Sequence, residues 1–116
     1  MEDREITQKL IADLESIKAQ AEAVHMLWSA TGAPAYGSSQ YQKFEELMVQ
    51  YRDLLKQLFP FDQAMVQSAF EAASQEIAWL TAWVTAFPPT HVDWEANWWR
   101  LDRLLHQKEM MEFVLK

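Results

Sequence analysis

The sequence predicts an all-α protein, a four-helix up-down-up-down bundle that forms a single domain over residues 1–116. The length is close to the commonest domain size, and half of the residues are apolar, which is enough for a core. Two glycines and four prolines are too few for the many turns of a sandwich or a barrel. Four long segments have helical periodicity, and the short connections between them favour antiparallel neighbours.

Helix one is predicted over about residues 3–30. Apolar residues recur along it at steps of three and four, as in a helix that packs along its whole length. Thr31 and Gly32 are predicted to end the helix, because glycine is the usual residue just past a helix C-terminus. The apolar face consists of Ile6, Leu10, Leu14, Ile17, Ala21, Val24 and Trp28.

Helix two is predicted over residues 39–58, after a loop of turn-forming residues at 32–38. Ser39 is predicted to be its N-cap, with Gln42 three residues later as the second member of a capping box. Pro60 ends the segment, because the residue before a proline avoids helical backbone angles. The loop contains both glycines of the protein, and we expect it to be the most mobile internal segment.

Helix three is predicted over residues 62–87, with Asp62 as its N-cap and the pair Pro88-Pro89 after its end. It is apolar on most of its circumference, which is typical of a helix buried on more than one side. The sequence therefore predicts that the other helices pack around this one. Its main apolar face consists of Val66, Phe70, Ala73, Ile77, Leu80, Val84 and Phe87.

Helix four is predicted over residues 91–115, capped by Thr90 and Asp93, and it has two patterned faces. The first is the predicted core face: Trp94, Trp98, Leu101, Leu104, Leu105 and Leu115. The second face has interface-type residues at steps of four and three: Trp99, Arg103, His106, Met110 and Phe113. We expect the second face to form a protein–protein interface, most simply in a two-fold homodimer. The alternatives are a helix buried on two sides within one chain, or scattered surface aromatics.

Trp79 and Trp83, on a second side of helix three, are a secondary interface candidate. Burial within the chain is the favoured interpretation for this pair, because a central helix has to place most of its circumference against neighbours.

The formal net charge of −7 disfavours nucleic acid and anionic membranes as partners, since both reward basic surfaces. The absence of cysteine excludes disulfides, thiolate catalysis and cysteine-ligated metals. The N-terminus is acidic, unlike the start of a signal peptide, and no apolar run reaches the roughly 20 residues of a membrane span. The sequence predicts a cytoplasmic protein without cofactor or metal.

Two spacings bear on enzymatic function. Glu22 and His25 have the Glu-x-x-His spacing of dimetal bundles, but that chemistry needs a second copy of the motif, which the sequence lacks. The spacing of Arg100 and His106 resembles the Arg-x(4–6)-His motif of HEPN-family ribonucleases, which are small all-α domains. The resemblance covers this spacing alone, and it implies His106 as an acid or base. Where that family has a polar residue after the arginine, this chain has Leu101.

The sequence thus predicts a protein that is not an enzyme and that binds another protein, itself, or both. Adaptors, assembly factors and inhibitors, including antitoxins and immunity proteins, share these properties. The alternatives are a HEPN-like ribonuclease, and a helical bundle in which some of the six tryptophans line a pocket for a small ligand.

Overall fold

The computed structural model describes residues 2–116, and all regular secondary structure in that range is helical. The four helices are α1 (Glu2–Thr31), α2 (Ser39–Leu58), α3 (Gln63–Ala86) and α4 (Trp94–Leu115). The predicted all-α class and the number of helices are confirmed for these residues. None of the helices has the length and apolar character that crossing a bilayer requires, as far as residues 2–116 are concerned.

The ends of α1, α2 and α3 lie within one residue of the predicted positions. Gly32 has a φ of +96°, which favours glycine, and its N–H donates to the Trp28 carbonyl at 2.7 Å. The predicted cap at Asp62 is confirmed, since its carboxylate accepts from the backbone N–H of Met65 at 3.0 Å. The predicted cap of α2 is wrong by one position. Ser38 has extended backbone angles, and its hydroxyl accepts from a backbone N–H at 3.2 Å.

The start of α4 differs from the prediction, because the helix begins at Trp94 and Thr90 does not cap it. Residues 88–93 form turns instead. The N–H of Trp94 donates to the His91 carbonyl at 3.1 Å, and the Asp93 N–H donates to the His91 ring nitrogen Nδ1 at 3.1 Å. The His91 imidazole also packs edge-on against the Trp83 ring, at 5.2 Å between centroids. These contacts of His91 hold the segment out of a helical conformation.

Within residues 2–116, α2 and α4 each contact all the other helices, α4 most extensively, so the prediction that helix three is central is wrong. Within residues 2–116, α3 packs mainly along α4, has a minor contact with α2 and makes none with α1. Seven of the 24 residues of α3 are alanine, and such small side chains gain little from burial. The buried residues of α3 are Val66, Ala73 and Leu80, while Phe70 and Ile77 are half-buried.

The main core is formed by α1 and α2, with contributions from the first half of α3 and from Met111 of α4. The second half of α3 is held by α4 outside this core. There the Trp94 indole Nε1 donates to the Val84 carbonyl at 3.0 Å. The molecule is elongated, with extents of 51 × 31 × 22 Å. Its radius of gyration is 15.4 Å, against about 13 Å for a compact domain of this length.

The difference between core and surface leucines can be measured with one substitution at two positions. Leu58 is 0% exposed and Leu27 is 60% exposed. We expect Leu58→Ala to lower the free energy of unfolding by about 2–5 kcal/mol, because it leaves a cavity. The same change at Leu27 should cost less than about 1 kcal/mol. Urea denaturation of both variants gives the comparison, and equal losses would contradict the core described above.

The loop between α1 and α2 should be the first site of proteolysis. Gly32 and Gly37 both have positive φ, and Tyr36 is 85% exposed. Chymotrypsin is expected to cut after Tyr36 before any other bond, because exposed loop tips adapt most easily to a protease. Mass spectrometry of the early fragments identifies the site. With Tyr36→Ala the early fragments should disappear, and an unchanged pattern would place the first cut elsewhere.

Candidate functional site

Four of the five residues on the second face of helix four are half-buried against the other helices. The Trp99 ring is 4.8 Å from the His25 ring and 6.0 Å from the Trp28 ring, between centroids. Met110 packs against the main core, and Arg103 and His106 are half-buried. The fifth residue is Phe113, which is exposed. α1 and α2 therefore cover most of a face for which the sequence suggested a partner.

α4 is thus buried on two sides within one chain, the alternative that the sequence left open. The interface role of the second face stays a prediction. It was based on the expectation that no other helix of the chain packs against this face, and α1 and α2 do pack against it. The residues of the predicted core face of α4 also differ in burial. Leu101 is buried, whereas Trp98 and Leu105 are exposed, because α3 covers only part of that side.

An aromatic cluster joins α1, α2 and α4. The His25 ring stacks on Phe44 at 4.5 Å, and Phe44 meets the His106 ring edge-on at 5.1 Å, both between centroids. Ring pairs with such separations are favourable beyond the area they bury. The rings of this aromatic cluster are His25, Trp28, Tyr36, Tyr41, Phe44, Trp94, Trp98, Trp99 and His106.

His25 is the polar residue at the centre of this cluster, and it is 0% exposed. The Arg103 guanidinium nitrogen Nη1 donates to Nδ1 of its imidazole at 3.5 Å. Because arginine can only donate, Nδ1 accepts and the neutral ring carries its proton on Nε2. Nε2 lies 3.5 Å from the Asp102 carboxylate, which is too long for a strong hydrogen bond, and it has no other partner.

This environment keeps His25 neutral. Burial lowers its pKa from 6.5 to about 4, and the nearby charges of Arg103 and His106 act in the same direction. Burial is the main cause because the charged imidazolium loses its hydration in an apolar surrounding. Protonation at Nδ1 would also place a proton against the guanidinium of Arg103.

Asp102 is placed between two imidazoles. Its carboxylate lies 3.5 Å from Nε2 of His25 and 3.6 Å from Nδ1 of His106. The same His106 nitrogen donates to the Asp102 backbone carbonyl at 2.8 Å. Burial raises the pKa of the Asp102 carboxyl, and the charges of His106 and Arg103 oppose that effect. This group connects α1 to α4, but within residues 2–116 it contains no set of ligands able to hold a metal ion.

The structure does not bring Arg100 and His106 together. Arg100 forms an ion pair with Glu76 of α3, whereas His106 contacts Asp102 and the Phe44 ring of α2. Their side chains leave α4 toward different neighbours, so this arrangement does not support joint action on one phosphate group.

The two tryptophans of the secondary interface candidate have different environments. Trp79 is 59% exposed. Trp83 is half-buried, with its ring stacked on Phe87 at 4.6 Å and edge-on to His91. Burial within the chain, the interpretation favoured from the sequence, therefore describes Trp83 and not Trp79.

Sequence reasoning missed the roles of His25 and Asp102. A signal for His25 was present, since it follows Ala21 by four residues and precedes Trp28 by three, which are core spacings on α1. Asp102 is four residues before His106, a spacing that places both side chains on one side of a helix. The cluster of polar groups could not be recognised, because His25 belongs to another helix.

Comparisons with models of known protein families, with curated proteins and with solved structures gave no significant match.

The buried His25 predicts acid sensitivity. Its folded-state pKa lies below the unfolded value, so its contribution to stability is complete above about pH 6.5 and is lost as the pH falls toward 4. By pH 5 the loss should reach about 2 kcal/mol. The raised pKa of Asp102 acts in the opposite sense, because acid relieves its burial cost. Urea denaturation at pH 7.5 and pH 5 measures the difference.

The matched variant is His25→Phe, which keeps a planar ring among its aromatic neighbours but cannot be protonated. We expect this variant to lose most of the stability difference between the two pH values. An equally large difference in the variant would show that other groups cause the acid sensitivity.

Proposed function

We propose that this chain is a non-enzymatic protein-interaction domain that associates with itself through an exposed face of α4. The observation that best supports this proposal is a row of three large apolar side chains on that helix. Trp98, Leu105 and Phe113 are 39%, 47% and 54% exposed. At 100° per residue, they fall within about 80° of helical arc. We call these three residues the exposed face of α4.

The composition of this face resembles that of known interfaces. Tryptophan and phenylalanine are enriched at binding hot spots. Two cations border Phe113. The Arg52 guanidinium lies 5.1 Å and the Lys56 ammonium 4.9 Å from the centre of its ring. An apolar row with charged groups at its margin is typical of an interface centre and rim.

A two-fold axis near Leu105 suits this row. Trp98 is seven residues before Leu105 and Phe113 is eight residues after it, so each lies about 11 Å along the helix from the axis. Two antiparallel copies of α4 would therefore place Trp98 of one copy beside Phe113 of the other. Asp102 and Glu109 flank the axis in the same way and would bring like charges together. Salt should consequently favour the dimer by screening them.

We also propose the up-down-up-down order of the helices within one domain. Contacts between the end of one helix and the start of another support it. Ser29 near the end of α1 donates to Glu95 at the start of α4, at 2.9 Å. Phe44, early in α2, contacts His106 near the middle of α4, and Arg52, later in α2, lies against Phe113 near the end of α4. The second half of α3 meets the start of α4 through the Trp94 hydrogen bond. A cytoplasmic location also remains a proposal.

Association can be tested by sedimentation with one substitution at two tryptophans. We expect wild-type protein to dimerise and Trp98→Ser to shift the equilibrium toward monomer by at least about tenfold, since about 1.5–3 kcal/mol accompanies burial of one such side chain. Trp79→Ser is the matched control. Trp79 is more exposed than Trp98 but lies on α3, and its loss should leave the dimer intact.

The results separate the candidate surfaces. Disruption by Trp79→Ser alone would move the interface to α3. A wild type that stays monomeric over the whole concentration range, at low and high salt, would contradict self-association. Trp99→Ser is unsuitable for this test, because Trp99 packs on His25 and its loss should destabilise the fold itself.

A further inference from the structure

A groove runs between α1 and α4, on the side of α4 away from its exposed face. It has two adjoining parts, and Glu22 and Arg103 line both of them. The first part, with a volume of about 370 Å³, is also lined by His25, Met26, Ser29, Ala96 and Trp99. The second part, of about 530 Å³, reaches Glu76 on α3. Both volumes are within the range of small-molecule sites.

Arg103, at the junction of the two parts, is the cation of the groove that has no direct ion pair within residues 2–116. It is half-buried, and in the part of the chain that the structure describes it forms no ion pair with an Asp or Glu carboxylate. Its one side-chain hydrogen bond is the 3.5 Å contact to His25. Burial lowers the pKa of its guanidinium, which reflects the cost of taking the charge out of water, and the negative charges of Glu22 and Asp102 oppose this shift.

The other cations of the groove already have partners. The Lys18 ammonium lies 3.5 Å from the Glu15 carboxylate, and Arg100 is paired with Glu76. One guanidinium therefore remains for a ligand, and it matches the single charge and the two oxygens of a carboxylate. A doubly charged phosphate would have to approach Glu22, Glu15 and Glu76 with only one unpaired cation to offset them.

The walls beside Arg103 are apolar. Trp99 offers an aromatic surface, Met26 is a flexible and largely exposed side chain, and Ala96 leaves space between them. A ligand held at Arg103 by its charged end would rest its body against these residues.

We propose that this groove binds a monoanionic carboxylate attached to an apolar or aromatic body, with the carboxylate on Arg103 and the body against Trp99 and Met26. Such a group occurs in a free small acid and at the C-terminus of a peptide. Both have the same chemistry at the guanidinium. The site is independent of the proposed dimer, because it lies on another side of α4.

Calorimetric titration with matched pairs of probes tests the proposal. Phenylacetate and phenylacetamide differ only in charge and represent the free acid. The peptide acetyl-Ala-Ala-Phe, with a free or an amidated C-terminus, represents the peptide source. Each acid should bind at least about tenfold more tightly than its amide, because only the acid pairs with the guanidinium. The tighter of the two acids identifies the source.

Variants locate the site. Arg103→Gln should weaken binding of the acid at least about tenfold, and Arg103→Lys should weaken it less, because lysine keeps the charge but loses the planar fork. Glu22→Gln should tighten binding about threefold by removing a competing negative charge several ångströms away. Arg4→Gln is the matched control, since Arg4 is exposed near the start of α1, and it should leave the affinity unchanged.

Circular dichroism melting shows whether Arg103→Gln remains folded. If that variant does not fold, two comparisons still test the proposal. They are the affinity of each acid against its amide, and the effect of Glu22→Gln on the affinity for the acid. Equal affinities for acid and amide would overturn the proposal. So would weaker binding after Glu22→Gln, or no saturable binding of either acid to the wild type up to about 10 mM, which corresponds to about −3 kcal/mol.

Discussion

The packing of Trp99 and its neighbours on α4 against His25 of α1 is the contact on which the rest of the arrangement depends. It turns one side of α4 toward α1 and α2 and leaves the opposite side to α3. α4 therefore takes the central position, and α3 is attached mainly through α4. The elongated shape follows from this order, because the second half of α3 lies outside the main core.

The same contact carries polar groups into the interior. His25 is enclosed by aromatic rings, and the side chains of Arg103 and Asp102 approach its imidazole from α4. Burying such groups costs free energy unless they are hydrogen-bonded, and the Nε2 atom of His25 is not. The interior thus combines favourable ring packing with an imperfectly satisfied polar cluster. That cluster makes the fold sensitive to acid and leaves a cation beside an open groove.

The two proposed surfaces lie on different sides of one helix. Leu105 of the exposed face and Arg103 of the groove are two residues apart, which corresponds to about 160° around α4. A second copy of the chain on one side would leave the other side open to a carboxylate. Two sides of α4 stay accessible because its neighbours do not close around it. Within residues 2–116, α1 makes no contact with α3, and α2 makes only a minor contact with α3.

The sequence by itself determined the helices, because periodicity, caps such as Asp62 and breakers such as Gly32 act within a few neighbouring residues. It also identified both patterned faces of α4, since the helical spacing of apolar residues can be read from one segment without knowing which helices pack against it. Which neighbour covers each face depends on contacts between segments far apart in the chain. The amphipathic pattern of a helix does not specify these contacts, because an apolar face can pack equally well against several different helices. An alanine-rich helix such as α3 is apolar whether it is central or peripheral. Only the tertiary structure decided that Trp99 packs on His25 while Trp98 is exposed, and that His25, Asp102 and Arg103 meet, because these positions follow from how α1 and α4 pack.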